Sequence, residues 1–178
     1  MSSFSGESSG NQLDLYDVVV LVDDINSSKY VDAAAGAKGR WRIQSFDRIG
    51  CDSVLAWFQD QNGNERIAVT HYLPNETNTH IAALKALVPA GQTVLECVYL
   101  TAGREQDPWS AAMIPAVERT IGMAPKVVRI DDYTQSDVAN TTDDEAFQLI
   151  AERQADEQGV LRTVRIPLPE GDAYHSEF

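Results

Sequence analysis

Cys51 and His71 are the two residues of this sequence whose chemistry and spacing best suit covalent catalysis. Cys51 precedes an alternating apolar run at 54–58, and His71 lies near the end of a second run at 66–74. The link at 59–65 contains Asn-Gly, a signal for a tight turn between antiparallel strands. Such a hairpin would place a thiol beside an imidazole, and an imidazole that takes the thiol proton creates a nucleophilic thiolate.

This pair predicts attack of a thiolate on an acyl carbon. A free Cys has a pKa near ~8.5 and is mostly a thiol at neutral pH, so the imidazole is needed as its base. Gly50, directly before the Cys, lets backbone N–H groups approach the oxyanion of a tetrahedral intermediate. Ser45, at the end of the preceding predicted strand, is the candidate that orients His71. Deamidation, transamidation and hydrolysis of another amide would all use this pair.

The same two residues also have a purely structural interpretation. Cys is among the most buried residue types and often packs as a small apolar side chain. A single His within a strand is often a structural residue as well. Thr70 would point to the opposite face of a regular strand from His71, away from the same substrate. The spacing of one Cys and one His therefore leaves catalysis and core packing both open.

The composition argues against several partners. The net charge is −13, from 27 acidic and 14 basic residues among 178. Because phosphate binding needs clusters of Lys and Arg, no nucleic acid and no anionic membrane surface is expected as a partner. No apolar stretch is long enough for membrane insertion, and residues 1–10 lack the pattern of a signal peptide. We therefore expect a cytoplasmic protein with free thiols, although export as an effector stays open.

No cofactor and no metal are predicted. The two Cys and three His residues show none of the spacings of zinc sites. Glycine-rich nucleotide-binding motifs and the Gly-x-Ser-x-Gly elbow are missing as well. Cys97, in an apolar strand, is expected in the core, and His80, at the start of a helix, at the surface. The acidic clusters at 131–132 and 143–145 are expected to be solvated.

The remaining pattern predicts one domain at 13–168 between a disordered tail at 1–12 and a C-terminal tail at 169–178. Hairpin-like strand pairs beside strand–helix–strand units indicate an α+β fold, a layered α/β sandwich with a mixed, largely antiparallel sheet and flanking helices. Helices are predicted at 81–88, 108–121 and 145–158, whereas 26–39 is compatible with helix or loop. Further strands are predicted at 15–22, 41–46, 94–100, 126–130 and 160–168.

The order of these residues resembles that of the CheD-type chemoreceptor glutamine deamidases of bacteria. Ser45 stands six residues before Cys51, where that family has a Thr. The segment Thr70-His71-Tyr72-Leu73-Pro74 is similar to the family's His segment. The segment 99–103, Tyr-Leu-Thr-Ala-Gly, precedes a predicted helix, as in that family. The similarity extends over residues 40–130.

The sequence departs from the chemoreceptor family at two points, and the first of them is similar to a second group of deamidases. Ile49-Gly50-Cys51 replaces the family's Gly-Ser-Cys. A Gly before the Cys is similar to the Ser-Gly-Cys of the cytotoxic necrotizing factor toxins, which deamidate a Gln of Rho-type GTPases on a related fold. The link from the Cys to the His is also a few residues longer than in the chemoreceptor enzymes.

The resemblance implies a cysteine-dependent protein-glutamine deamidase without a metal, whose partner is a protein that bears a reactive glutamine. Cys51 would be the nucleophile, His71 the general acid and base, and Ser45 the orienting group. The substrate or oxyanion side would include Gly50, Thr70 and Tyr72. Two alternatives stay open: a non-enzymatic acidic interaction protein that retains the fold, and a Cys-His amide hydrolase of another specificity. The altered Gly-Cys context and the acidic stretch at 131–157 motivate the first of these.

Overall fold

The computed structural model describes residues 15–47, 51–101, 107–130, 147–168 and 171–178. In these ranges the chain forms ten strands and two helices, arranged as two five-stranded sheets with helices beside one of them. This confirms the predicted α+β layered sandwich. The elements are β1 (Val18–Val22), β2 (Ser27–Ala33), β3 (Gly39–Asp47), β4 (Asp52–Gln59), β5 (Glu65–Tyr72), α1 (Thr77–Leu87), β6 (Thr93–Thr101), α2 (Pro108–Ile121), β7 (Lys126–Arg129), β8 (Phe147–Asp156), β9 (Gly159–Ile166) and β10 (Tyr174–Glu177).

Both sheets are mixed. Sheet A has the strand order β1-β3-β8-β9-β10, and sheet B has the order β2-β5-β4-β6-β7. The pairs β1–β3 and β6–β7 are parallel, and the other neighbouring pairs are antiparallel. The chain therefore crosses from sheet A to sheet B between β3 and β4, which is where Cys51 lies.

Two apolar layers hold the sandwich together. The first fills the space between the sheets and includes Ile43 from sheet A and Leu55 and Val69 from sheet B. The second lies on the other face of sheet B, where Phe58 of β4 packs beside Met113 of α2. Because sheet B is covered on both faces, its central strand β4 is a nearly continuous apolar run instead of an alternating one.

The local signals that predicted the β4–β5 hairpin and helix α2 are borne out. The Asp60 carboxylate accepts hydrogen bonds from the backbone N–H groups of Asn62 and Asn64, and Gly63 adopts a left-handed φ of 83°. Helix α2 begins after Asp107, whose carboxylate accepts a bond from the N–H of Trp109. Within the described ranges, neither helix is long and apolar enough to cross a bilayer.

The predicted helix at 145–158 is wrong, because residues 147–156 form strand β8. Phe147, Leu149 and Ala151 lie in the layer between the sheets, with the period of two that a strand requires. The next position of this series is Arg153, a buried cation, which interrupts the apolar alternation that the sequence shows. The acidic cluster at 131–132 and residues 143–146 lie outside the described residues.

Two further segments form strands that the pattern did not reveal. The segment 26–39 contains β2, a strand at the edge of sheet B that carries the charged residues Lys29 and Asp32 at exposed positions, as edge strands often do. Within the C-terminal segment 169–178, residues 174–177 form β10, which pairs with β9 at the edge of sheet A. The predicted tail at 1–12 lies outside the described residues.

Candidate active site

The β4–β5 register brings Cys51 and His71 to the same end of sheet B. Cys51 directly precedes β4, and His71 is the penultimate residue of β5. Ser53 pairs directly with His71, and Asp52 pairs with Tyr72. Cys51 is therefore the diagonal neighbour of His71. Such neighbours are roughly 7–8 Å apart in an antiparallel pair, which long side chains can span.

His71 belongs to the face of sheet B that packs against sheet A. Val69, two residues before His71, lies in the layer between the sheets, as does Leu55, two residues after Ser53. Since side chains alternate along a strand and paired residues share a face, His71 and Ser53 lie on this face, and Cys51 directly precedes this end of β4. Cys51 is 3% exposed and His71 is 1% exposed. In a site with so little water, a thiolate and an imidazolium interact more strongly than they would in solvent.

Ser45 lies on the facing sheet. It follows Ile43 by two residues on β3, so it faces the same layer, and it is fully buried. Its Oγ accepts a hydrogen bond from the backbone N–H of Leu149 at 3.3 Å. A hydroxyl that accepts one bond can still donate its own proton. Because β3 and β5 contact each other across the layer, Ser45 stands on the strand that faces the strand of His71.

Of the residues predicted on the substrate or oxyanion side, Thr70 and Tyr72 lie on the opposite face from His71, because residues i ± 1 of a strand point away from residue i. The Oγ1 of Thr70 accepts the N–H of Val54 at 3.1 Å and is hydrogen-bonded to Nε2 of His80 at 2.5 Å. The ring of Tyr72 stacks on His80 at 4.8 Å between centroids. Gly50 lies outside the described residues.

His80 is buried, contrary to the predicted surface position. It begins a stripe on α1 with Leu84 and Leu87, spaced at four and three residues, and this stripe faces sheet B. Burial, followed by the charge of His71, lowers the pKa of His80 to about 3. His80 is therefore neutral at physiological pH and supports the back of the strand that carries His71.

The backbone around His71 is held on both sides. Ser27 of β2 pairs with it on one side and Ser53 of β4 on the other. The N–H of Asn26 donates to the carbonyl of His71 at 2.8 Å. Asn26 has a φ of 62°, a left-handed conformation that Asn tolerates better than most residues, and no other non-glycine residue of the described ranges shares it. The turn between β1 and β2 is thus anchored to the strand of the candidate base.

The sequence reasoning missed a buried acid beside the candidate nucleophile. The carboxylate of Asp52 accepts bonds from the hydroxyl groups of Tyr99 at 2.5 Å and Thr101 at 2.7 Å, both on β6. Burial raises the pKa of Asp52 to about 6, although these two bonds oppose the rise. The signal in the sequence was a charged residue two positions before the apolar run at 54–58.

The described residues contain no group of three or more His, Cys, Asp or Glu side chains that could hold a metal ion. Cys97 lies in the core between β6 and the helices, as predicted, and burial raises the pKa of its thiol to about 12. Cys97 is therefore a poor nucleophile, and Cys51 is the thiol with a candidate base beside it.

No protein-family model matches the sequence, and no curated protein matches it either. Among solved structures, the fold is similar to that of the C-terminal domain of CNFy from Yersinia pseudotuberculosis, with a TM-score of 0.51 and 9% sequence identity. The match covers 90% of this chain and 62% of that chain, so this chain spans less than two thirds of the matched one. At this identity, the likeness shows the fold alone.

Proposed function

We propose that this protein is a cysteine-dependent protein-glutamine deamidase. The observation that carries the proposal is the β4–β5 register, which pairs Ser53 with His71 and so brings Cys51, directly before β4, to the same end of the sheet as His71. Two further points support it. The fold is similar to that of the C-terminal domain of CNFy. In addition, the sequence around Gly50-Cys51 resembles that of the cytotoxic necrotizing factor toxins, which act on a protein glutamine.

His71 takes the proton of the Cys51 thiol, and the thiolate attacks the carboxamide carbon of the glutamine side chain. The tetrahedral oxyanion collapses to a thioester between Cys51 and the substrate, and the departing ammonia takes a proton from the imidazolium. Water, activated by His71, then attacks the thioester and releases a glutamate side chain and the free thiol. Ser45, on the facing strand, orients the imidazole for both proton transfers.

Mass spectrometry of candidate substrates tests the overall reaction. Purified small GTPases and chemoreceptor cytoplasmic fragments are incubated with wild-type protein or with Cys51→Ser, His71→Ala, Ser45→Ala or Cys97→Ser. We expect a one-dalton gain at a glutamine with the wild type and with Cys97→Ser, a loss of that gain with the Cys51 and His71 variants, and a slower gain with Ser45→Ala. If wild type and Cys51→Ser produce the same mass change, or none, at every glutamine, the proposal is contradicted.

Thiol reactivity tests the pair without a known substrate. Iodoacetamide labelling is followed by peptide mapping over about pH 5 to 9, with Cys97 as an internal reference. A thiolate stabilised by an imidazolium reacts below pH 7, whereas an isolated thiol with a pKa near ~8.5 does not react appreciably there. We expect Cys51 to be labelled below pH 7 in the wild type and far less in His71→Ala.

The burial of both side chains favours a second candidate, a non-enzymatic interaction protein that retains the fold. At 3% and 1% exposure, Cys51 and His71 also fit a purely structural role in the protein interior. This candidate predicts that Cys51 resists iodoacetamide until the protein unfolds, with the same labelling curve in His71→Ala.

A further inference from the structure

A buried carboxylate follows the candidate nucleophile directly in sequence. Asp52 is 1% exposed, and it lies on the helix-facing side of β4, with Cys51 one residue away. Tyr99 and Thr101 donate to its two carboxylate oxygens, one bond to each. These bonds join the first residue of β4 to the end of β6, so they act at the point where the chain enters sheet B.

Packing alone does not account for this acid. Burying a carboxylate is costly even when hydrogen bonds compensate it, and an apolar side chain would fill this position more cheaply. The two hydroxyl donors lie on one strand, at the register positions that face the start of β4. Bonds to a charged acceptor are shorter and stronger than neutral ones, so they fix the backbone at this residue more firmly than an apolar contact would.

We propose that Asp52 is a positioning residue of the candidate active site, which holds the backbone at Cys51 through Tyr99 and Thr101 and sets the electrostatic potential at the thiol. This inference rests on the proposed function and assigns a role to a residue outside the nucleophile, base and orienting group.

The charged and titratable groups around Asp52 come from several elements. Tyr99 of β6, Asp107 before α2 and Arg129 of β7 act on it, and Tyr72 of β5 is its partner across the strand pair. Burial raises the pKa of Asp52 to about 6. The hydrogen bonds from Tyr99 and Thr101 and the positive charge of Arg129 oppose this rise, whereas the negative charge of Asp107 adds to it. Asp52 therefore ionises within the pH range in which a thiolate–imidazolium pair works.

The sign of the effect on the thiol follows from like-charge repulsion. Above pH 6 the Asp52 anion lies one residue from Cys51 and disfavours its thiolate, so it raises the pKa of the thiol. Asp52→Asn removes the charge but keeps the shape, and the hydroxyl groups of Tyr99 and Thr101 can both donate to and accept from an amide. The thiol of the variant should then ionise at lower pH.

The test is the rate of iodoacetamide labelling of Cys51 against pH, in a Cys97→Ser background. We expect an inflection near pH 6 in the parent protein. In Asp52→Asn we expect no inflection and labelling roughly three- to ten-fold faster at pH 7, which corresponds to a shift of up to about one pKa unit.

The matched control is Glu96→Gln. Glu96 is another buried acid of sheet B, bonded by the Tyr174 hydroxyl at 2.8 Å, and it pairs with Trp57 instead of the start of β4. Glu96→Gln should leave the pH profile of Cys51 labelling unchanged.

A second variant covers the case in which Asp52→Asn does not fold. Tyr99→Phe removes one bond that lowers the pKa of Asp52, so the inflection should move to higher pH. If the labelling profiles of Asp52→Asn and Tyr99→Phe both superimpose on the parent profile, this inference is refuted and the proposed function is unaffected. If Cys51 of the parent protein resists labelling at every pH while the protein is folded, the proposed function and this inference fall together.

Discussion

The buried carboxylate of Glu65 gives the sharpest prediction about stability. Glu65 begins β5, at the end of the strand opposite His71. Arg153 of β8 donates to Oε2 at 3.0 Å, and Arg162 of β9 donates to both oxygens at 2.8 and 2.9 Å. The indole N–H of Trp57 donates to Oε1 at 2.9 Å. This cluster ties sheet A to sheet B, so Glu65→Gln should destabilise the whole sandwich.

The expected magnitude follows from burial. The side chains of Glu65 and Arg153 are 2% and 3% exposed, and that of Arg162 is 19% exposed. Removing one member of a buried ion pair costs roughly 3–5 kcal/mol, because the remaining charge is left without its partner. Water can reach Arg162 in part, so we expect about 3 kcal/mol, at the low end of that range. For a chain of this size, this corresponds to a fall in Tm of roughly 6–12 °C.

Asp32→Asn is the matched control. Asp32 pairs with Arg66 at 2.8 Å, but its side chain is 52% exposed. Exposed ion pairs contribute about 0–1 kcal/mol, so this variant should lower Tm by less than about 4 °C. Both substitutions remove one carboxylate charge at nearly constant volume.

Thermal and urea unfolding of the two variants measure the difference. Burial alone would raise the pKa of Glu65, but the bonds from Arg162, Trp57 and Arg153 outweigh it and lower the pKa below its usual value. The stability that the ionised Glu65 provides is present at neutral pH and is lost as the pH falls through this lowered pKa. Equal destabilisation by Glu65→Gln and Asp32→Asn at neutral pH would refute the reasoning.

Two other substitutions test single features of the fold. Because the pKa of His80 is lowered to about 3 while an unfolded His titrates near ~6.5, only the unfolded chain binds this proton between those values. This residue makes the free energy of unfolding decrease by roughly 1.4 kcal/mol per pH unit as the pH falls from about 6 to 4. His80→Asn should remove that contribution, and parallel stability curves for variant and wild type would count against it. Gly122 ends α2 with a φ of 87°, and a Cβ there would meet nothing within 4 Å. Gly122→Ala should cost about 1 kcal/mol from backbone strain alone, seen as a Tm lower by about 2–4 °C, and an unchanged Tm would contradict this.

Local signals predicted the elements whose information lies within a few residues. The Asn62-Gly63 pair indicated the hairpin, and Pro108 and Gly122 bounded α2, because turn and cap geometry depends on the residues at those positions. The sequence pattern predicts a helix where β8 forms, because Arg153 occupies a core position and interrupts the apolar alternation of the strand. The buried Arg153 is compensated by its ion pair with Glu65, which lies 88 residues away in sequence.

The sequence by itself predicted the β4–β5 hairpin that brings Cys51 and His71 to one end of a sheet, because a hairpin with a defined turn allows few registers. Only the tertiary structure decided what surrounds them. Packing of sheet A against sheet B put Ser45 on the facing strand, and packing of α1 buried His80 behind β5. The raised pKa of Asp52 likewise arises from long-range burial and from donors on β6. These properties depend on contacts between residues distant in sequence, which no local pattern specifies.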